Sequence, residues 1–170
     1  MDTPLIIAAI IRQEGRILLV EQQGPSDLLP TWSLPGGVVQ AGELLTEALD
    51  REVREETGLA LEELGALAYV TQNIEGDQTS VAFVFEVGRW RGKLRIGDPD
   101  GLKLRAVFLP LAEALRALEG LPWPIMRAPA IAYLTGHAEA GSLWVCQASA
   151  LSDKVIGIAS QLTHVVQSLA

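Results

Sequence analysis

Three glutamates, Glu52, Glu55 and Glu56, are spaced as i, i+3 and i+4 within a charged segment. In a helix, this spacing places all three carboxylates on one face. Like charges placed in this way repel by about 0.2–0.5 kcal/mol per pair, and the negative end of the helix dipole disfavours them further in the last turn. A hard divalent cation would remove both penalties, and oxygen atoms are the ligands that Mg²⁺ or Mn²⁺ prefers. The spacing is therefore typical of a metal site.

The same three glutamates have a plainer interpretation as the solvated face of an acidic helix. Arg51 and Arg54 would then provide local ion pairs, and Glu47 would pair with Arg51 at the i, i+4 spacing. The acidic cluster alone leaves both interpretations open.

A helix that would carry these residues is predicted over 45–57. Gly58 follows it directly and is well placed as the left-handed residue that ends the helix, and Thr46 is a candidate N-cap.

The segment before this helix, 31–42 (TWSLPGGVVQAG), contains four Gly or Pro residues and predicts a structured turn. Gly36 and Gly37 lack a Cβ, so they permit either a tight turn alone or a close approach of the backbone to a metal or a phosphate.

Five aliphatic runs predict strands, and two further segments predict helices. The strands cover 5–11, 16–21, 67–74, 80–87 and 102–109, and the helices cover 110–118 and 124–134. Turn residues between the first two strands, and between the next two, predict two β-hairpins. Strands that form hairpins and also alternate with helices predict an α/β fold in which helices pack on a mixed sheet.

The end of the chain carries apolar residues at successive spacings of four, three, four, three and four. These are Leu151, Val155, Ile158, Leu162, Val165 and Leu169. The periodicity predicts an additional C-terminal helical segment, whose apolar stripe would pack on its own core or at the interface of a homodimer. We therefore expect a main domain over 1–136 and a C-terminal extension over 137–170.

The charge of the 170-residue chain restricts its partners. Thirteen Lys and Arg residues against 21 Asp and Glu residues give a net charge of −8, which argues against nucleic acid or an anionic membrane as a partner. Residues 37–63 hold eight acidic and two basic residues, so −6 of this charge lies at the candidate site. We recognise neither a signal peptide nor an apolar run of roughly 20 residues. The one cysteine, Cys146, cannot form an intramolecular disulfide, and we expect a cytoplasmic protein.

The segment around the three glutamates resembles the Nudix hydrolase family and its MutT-like members. The family's box reads G-x5-E-x7-R-E-U-x-E-E-x-G-U, in which U is a bulky aliphatic residue. Its defined positions are matched by Gly37, Glu43, Arg51, Glu52, Val53, Glu55, Glu56, Gly58 and Leu59. The resemblance implies an α/β/α sandwich around a mixed sheet. It also implies metal-dependent hydrolysis of a nucleoside diphosphate linked to another moiety, by attack of water on phosphorus.

The resemblance also implies a ligand set for the metal, which would be Mg²⁺ or Mn²⁺. Glu55 and Glu56 would be the principal ligands, and the backbone carbonyl of Gly36 would be a further one. Glu52 would bind a metal or serve as the general base. The substrate would be a nucleoside triphosphate, a nucleotide sugar or a dinucleotide.

Two further box residues receive supporting roles from the resemblance. Glu43 would hold or tune Glu52, and Arg51 would orient the acidic cluster through an ion pair. Some Nudix enzymes take the base from a later loop, where this chain has Asp98 and Asp100. Both aspartates are also typical turn residues in their Gly- and Pro-containing segment, so the identity of the base stays open.

The residues that would recognise the substrate are not identified by the sequence. Five aromatic residues could stack on a base or pack in the core: Trp32, Tyr69, Phe83, Phe85 and Phe108. A nucleotide-binding or sensor module without catalysis is the alternative function, although an intact box disfavours it. Isomerisation of an isoprenoid diphosphate would need an additional Cys and Glu pair, and Cys146 lies in an apolar run.

Overall fold

Two β-sheets and three helices form the described part of the chain. The computed structural model describes residues 3–24, 28–95, 101–149 and 152–158, with the backbone alone described for 148, 149 and 152–158. The strands are β1 (Leu5–Ile10), β2 (Arg12–Gln13), β3 (Arg16–Gln22), β4 (Thr31–Ser33), β5 (Gly36–Val38), β6 (Leu59–Glu75), β7 (Gln78–Gly92), β8 (Lys103–Pro110), β9 (Ser142–Ser149) and β10 (Ser152–Ile158). The helices are α1 (Leu45–Thr57), α2 (Leu111–Glu119) and α3 (Pro124–Leu134). Within these ranges, no helix is both long and apolar enough to cross a bilayer.

The larger sheet is mixed and has the strand order β10-β9-β6-β7-β1-β5. Strand β1 is parallel to β7, and β6 is parallel to β9, whereas the other neighbours are antiparallel. The smaller sheet is antiparallel, and in it β3 pairs with β2, β4 and β8. The mixed sheet agrees with the sequence prediction.

Helices lie on both sides of the sheets because successive strand residues point to opposite faces. In β3, Leu18 belongs to the hydrophobic core that contains Leu49 and Val53 of α1. Its neighbours Ile17 and Leu19 belong to the other core, which α2 and α3 cover. All five side chains are almost completely buried. The predicted α/β/α sandwich is therefore confirmed.

Helix α1 covers the predicted residues, but its N-terminus differs from the prediction. The N-cap is Leu44, so Thr46 as N-cap is wrong. The Glu47 carboxylate supplies one half of a capping box, since its Oε2 accepts a hydrogen bond from the Leu44 N–H at 3.1 Å. At the other end, Gly58 has φ of 76° and donates its N–H to the Arg54 carbonyl at 2.9 Å, as expected for a left-handed C-cap.

The second predicted hairpin is confirmed, and the first is partly wrong. Strands β6 and β7 form a long antiparallel pair with a tight turn between Glu75 and Gln78. The first turn joins β2 to β3, whereas β1 belongs to the larger sheet. The chain changes sheets at Ile11, whose carbonyl still accepts a hydrogen bond from the Leu18 N–H at 2.9 Å.

The helix predicted over 151–169 is wrong for residues 152–158, which form strand β10. This strand pairs antiparallel with β9, with Val155 opposite Cys146. Residues 159–170 lie outside the described residues. Strand β9 itself pairs parallel with β6, so this part of the predicted extension continues the larger sheet. The β-branched residues Val155, Ile156 and Ile158 favour a strand, and a short apolar run such as 155–158 fits either periodicity.

Replacing Leu49 by Ala tests the packing of α1. Leu49 is fully buried, so we expect Leu49→Ala to lower the free energy of unfolding by about 2–5 kcal/mol through lost contacts and a cavity. Leu28, which is 95% exposed, provides the matched control, and Leu28→Ala should change stability by less than about 0.5 kcal/mol. Urea unfolding followed by circular dichroism measures both, and equal losses would contradict the packing described.

Candidate active site

The site lies where strand β5 passes the second half of helix α1. The Gly36 N–H donates a hydrogen bond to Oε2 of Glu56 at 2.9 Å. A Cβ on Gly36 would overlap the Ile7 carbonyl oxygen and the Ala8 backbone, and a Cβ on Gly37 would lie 2.5–2.6 Å from both carboxylate oxygens of Glu52. Gly36 is therefore required by a close backbone contact, and a side chain at Gly37 would displace the Glu52 carboxylate, so a turn is not the only reason for these glycines.

Arg51 contacts three glutamates with one guanidinium group. Its Nε and Nη2 donate to the two carboxylate oxygens of Glu43 at 2.8 and 2.9 Å. Its Nη1 donates to Oε1 of Glu52 at 2.7 Å and lies 3.5 Å from Oε2 of Glu55. Nη2 also donates to the Val38 carbonyl at 3.2 Å, which connects the group to β5.

Glu56 is the buried member of the acidic cluster. Its side chain is 4% exposed, and Oε1 lies 2.7 Å from the Nζ of Lys103, whose side chain is 14% exposed. The Lys103 ammonium also donates to the Gln22 side-chain oxygen. Gln22 and Lys103 are register partners in the β3–β8 pair, so the smaller sheet supplies the counter-charge for a carboxylate on α1.

The electrostatics of the cluster follow from these contacts. The hydrogen bonds from Arg51 lower the pKa of Glu43 from 4.5 to about 2. The same ion pair raises the pKa of Arg51 above its ordinary value. Burial raises the pKa of Glu56, while the Lys103 ammonium and the Gly36 N–H act in the opposite direction.

The structure brings the predicted residues Gly36, Glu43, Arg51, Glu52, Glu55 and Glu56 into one site. Among the described residues, however, no three His, Cys, Asp or Glu side chains are arranged to hold a metal ion. These carboxylates are instead paired with Arg51 and Lys103, which relieves the repulsion within the helix. The donor set still consists of oxygen atoms only, which is the chemistry that Mg²⁺ and Mn²⁺ require.

Sequence reasoning missed Lys103 and Gln22. Both are far from the box in the chain, and only the register of β3 with β8 brings them to Glu56. The one available signal was a lysine at the start of a strand that is otherwise rich in apolar residues, and this signal is weak because such a lysine commonly points to solvent.

The other candidates from the sequence lie elsewhere. Phe83, Phe85 and Phe108 pack against the core beside α1, and Tyr69 is buried in the core beside α2 and α3. The Trp32 ring packs against that second core and has the Arg105 guanidinium 4.9 Å from its centre. Cys146 is buried. Asp98 and Asp100 lie outside the described residues.

Comparison with known proteins identifies the family. The family model described as the NUDIX domain matches residues 2–128. The match includes the whole of the site between β5 and α1, and it extends over most of the chain. The chain therefore belongs to the Nudix family, as its box indicates.

The curated relatives carry names of several phosphatases and pyrophosphatases. The 8-oxo-dGTP diphosphatase of Haemophilus influenzae is 36% identical over 121 residues, which are 69% of this chain and 84% of that protein. The ADP-ribose pyrophosphatase of Methanocaldococcus jannaschii is 33% identical over 95 residues, 54% of each chain. The 8-oxo-dGDP phosphatase of Mus musculus is 30% identical over 107 residues, 62% of this chain and 32% of that protein. The matched region thus spans about half and about a third of the last two proteins.

A solved structure also shares the fold. The MutT NUDIX hydrolase of Burkholderia pseudomallei superimposes with a TM-score of 0.58 and 31% identity, covering 78% of this chain and 97% of that one. The α/β/α arrangement is thus common to this chain and a named hydrolase of the family.

The Arg51–Glu43 pair should make the free energy of unfolding depend on pH in the acidic range. Because the pKa of Glu43 is about 2 in the folded protein and 4.5 ordinarily, its contribution is complete above about pH 4.5 and is lost as the pH falls towards 2. We expect the difference in unfolding free energy between wild type and Glu43→Gln to shrink over this range. Urea unfolding at several pH values measures it.

The control for this pH dependence is Arg51→Gln, in which the pKa of Glu43 should return towards its ordinary value. Carbon-detected NMR titration of the Glu43 carboxyl reads this directly. An ordinary pKa for Glu43 in the wild-type protein would contradict the ion pair.

Proposed function

We propose that this chain hydrolyses the pyrophosphate bond of a nucleoside diphosphate linked to another moiety, with Mg²⁺ or Mn²⁺ as cofactor. The observation that carries the proposal is the placement of Glu52 and Glu56 against strand β5, with Arg51 joining Glu52 and Glu55 to Glu43. Family membership supports the same reaction class.

The metal would be held by Glu55, Glu56 and the Gly36 carbonyl, with Glu52 as a further ligand or as the base. In antiparallel pairing, N–H and carbonyl groups of one residue point to the same edge. The Gly36 N–H points to Glu56, which supports a Gly36 carbonyl on the side of α1. When bound, the cation would neutralise charge on the phosphoryl oxygens.

The protein's own residues would position the attacking water and accept its proton. We assign the base to Glu52, whose carboxylate lies against Gly37 and is held by Arg51. Glu43 acts through Arg51, because its two oxygens fix the guanidinium in the orientation that reaches Glu52. Glu43 and Arg51 are therefore positioning residues in this proposal.

A nucleoside triphosphate is the first substrate to test, with nucleotide sugars and dinucleotides next. The relative from Haemophilus influenzae, named an 8-oxo-dGTP diphosphatase, supports this order because the match covers most of both chains. The name ADP-ribose pyrophosphatase belongs to a relative that is matched over about half of its length.

We assign catalysis to a domain over 1–136, with 137–170 as an extension that joins it through the pairing of β9 with β6. The extension could also contribute to a homodimer, which light scattering would detect. A cytoplasmic location is part of this proposal and is supported by the single, buried cysteine.

Glu55→Gln and Glu56→Gln test the reaction and the ligands together. With Mg²⁺ and a panel containing dGTP, 8-oxo-dGTP, ADP-ribose, a nucleotide sugar and a dinucleoside polyphosphate, we expect turnover by the wild type. The turnover rate of each variant should fall by about a thousandfold or more, because the metal supplies several kcal/mol of charge stabilisation. Phosphate or pyrophosphate release measures this.

Glu62→Gln is the matched control for these variants, since Glu62 is an exposed glutamate just beyond α1 that pairs with Arg91. It should retain full turnover. Wild-type rates in Glu55→Gln and Glu56→Gln would overturn the site. A wild-type protein that binds these nucleotides in calorimetry without cleaving them would instead be a sensor module.

Glu52→Gln tests the identity of the base. If Glu52 accepts the proton, kcat should fall by about a hundredfold to ten-thousandfold with a much smaller change in KM. Steady-state kinetics on the best substrate of the panel measures both constants. An unchanged kcat would move the base to another acid, and Asp98→Asn and Asp100→Asn would then be compared in the same assay.

A further inference from the structure

Lys103 is a partly buried cation within the acidic site. Its Nζ lies 2.7 Å from Oε1 of Glu56, and the two side chains are 14% and 4% exposed. Its hydrogen bond to Gln22 on the neighbouring strand fixes the direction of the ammonium group. No residue of the box supplies this contact, and the proposed reaction gives it no role.

A counter-charge at this point stabilises the ionised form of Glu56. A carboxylate removed from water is strongly disfavoured unless it is paired and hydrogen-bonded. In Glu56 one oxygen accepts the Gly36 N–H and the other faces Lys103. A divalent cation that binds Glu56 would therefore meet an ammonium already at one of its two oxygens.

We propose that Lys103 is an internal counter-cation that competes with the divalent metal for Glu56, and so sets the metal concentration at which the site is loaded. This rests on the proposed function in one respect, the assignment of Glu56 as a metal ligand. Metal binding then exchanges one cation for another at Glu56.

The two cations of the site, Arg51 and Lys103, differ in how firmly they are held at their carboxylates. The Arg51 guanidinium is held by both oxygens of Glu43, by Glu52 and by the Val38 carbonyl. Lys103 carries a point charge on a flexible stem and contacts Glu56 and Gln22 without the two-oxygen grip that fixes Arg51. Competition is therefore assigned to Lys103, whereas Arg51 stays in place in both states.

The test is Mn²⁺ binding by Lys103→Met, measured without substrate by isothermal calorimetry and by the electron paramagnetic resonance of free Mn²⁺. We expect Mn²⁺ to bind about tenfold more tightly or better, which corresponds to one charge-assisted hydrogen bond that no longer has to be broken. The metal-free variant should unfold at a lower temperature, and Mn²⁺ should raise its Tm more than that of the wild type.

Arg105→Met is the matched control. Arg105 lies on the same strand, carries the same charge and pairs with Glu21 instead of Glu56. It should bind Mn²⁺ as the wild type does, which separates the local contact from the general loss of one positive charge. Lys103→Arg, which keeps a cation beside Glu56, should also stay near the wild-type affinity.

The outcomes distinguish this inference from the proposed function. If Mn²⁺ binds the wild type and Glu56→Gln equally, or binds neither, the metal assignment of Glu56 fails. If Glu56→Gln weakens binding while Lys103→Met equals the wild type, Lys103 is no competitor. Should Lys103→Met fail to fold even with Mn²⁺, Lys103→Gln keeps a donor for Glu56 without the charge. It should then show tighter binding, and an unchanged affinity would overturn the inference.

Discussion

The close packing of strand β5 between β1 and helix α1 is the constraint on which the site depends. On one side Gly36 lies against the backbone of Ile7 and Ala8, and on the other its N–H reaches Glu56. A side chain at Gly36 would overlap this backbone, and one at Gly37 would displace the Glu52 carboxylate. The acidic face of α1 can therefore contact the edge of β5 directly. A backbone carbonyl of β5 and a carboxylate of α1 can then bind the same ligand.

That packing creates an electrostatic problem, because three carboxylates lie in the last turns of one helix. The helix dipole disfavours anions there, and burial adds a desolvation cost for Glu56. Two cations from different parts of the chain resolve it. Arg51 comes from the helix itself and pairs with three glutamates, whereas Lys103 comes from the other sheet and pairs with Glu56.

The sequence predicts those parts of the site whose geometry is local. Helix α1 has the predicted bounds, and the i, i+3, i+4 spacing alone places the three glutamates together, since both depend only on neighbouring residues. Lys103 could not be found in this way, because its position depends on the pairing of β8 with β3. The predicted pairing of the first two strands failed for the same reason, as a short turn does not reveal that β1 joins another sheet.

The strand at 152–158 illustrates a different limit. Its apolar residues satisfy a helical spacing, yet β9 offers an edge with which the backbone can pair. Periodicity cannot separate the two states in so short an apolar segment, and tertiary pairing decides.

The two cations differ in chemistry as well as in origin, and this difference gives them different functions in the site. A guanidinium bound by the two oxygens of Glu43 has a fixed plane, so it can define where Glu52 lies. An ammonium has no preferred plane and holds Glu56 by charge. In the proposed exchange, the cation on Glu52 stays fixed while the one on Glu56 gives way to a metal. Glu56 can thus be both buried and available to a metal.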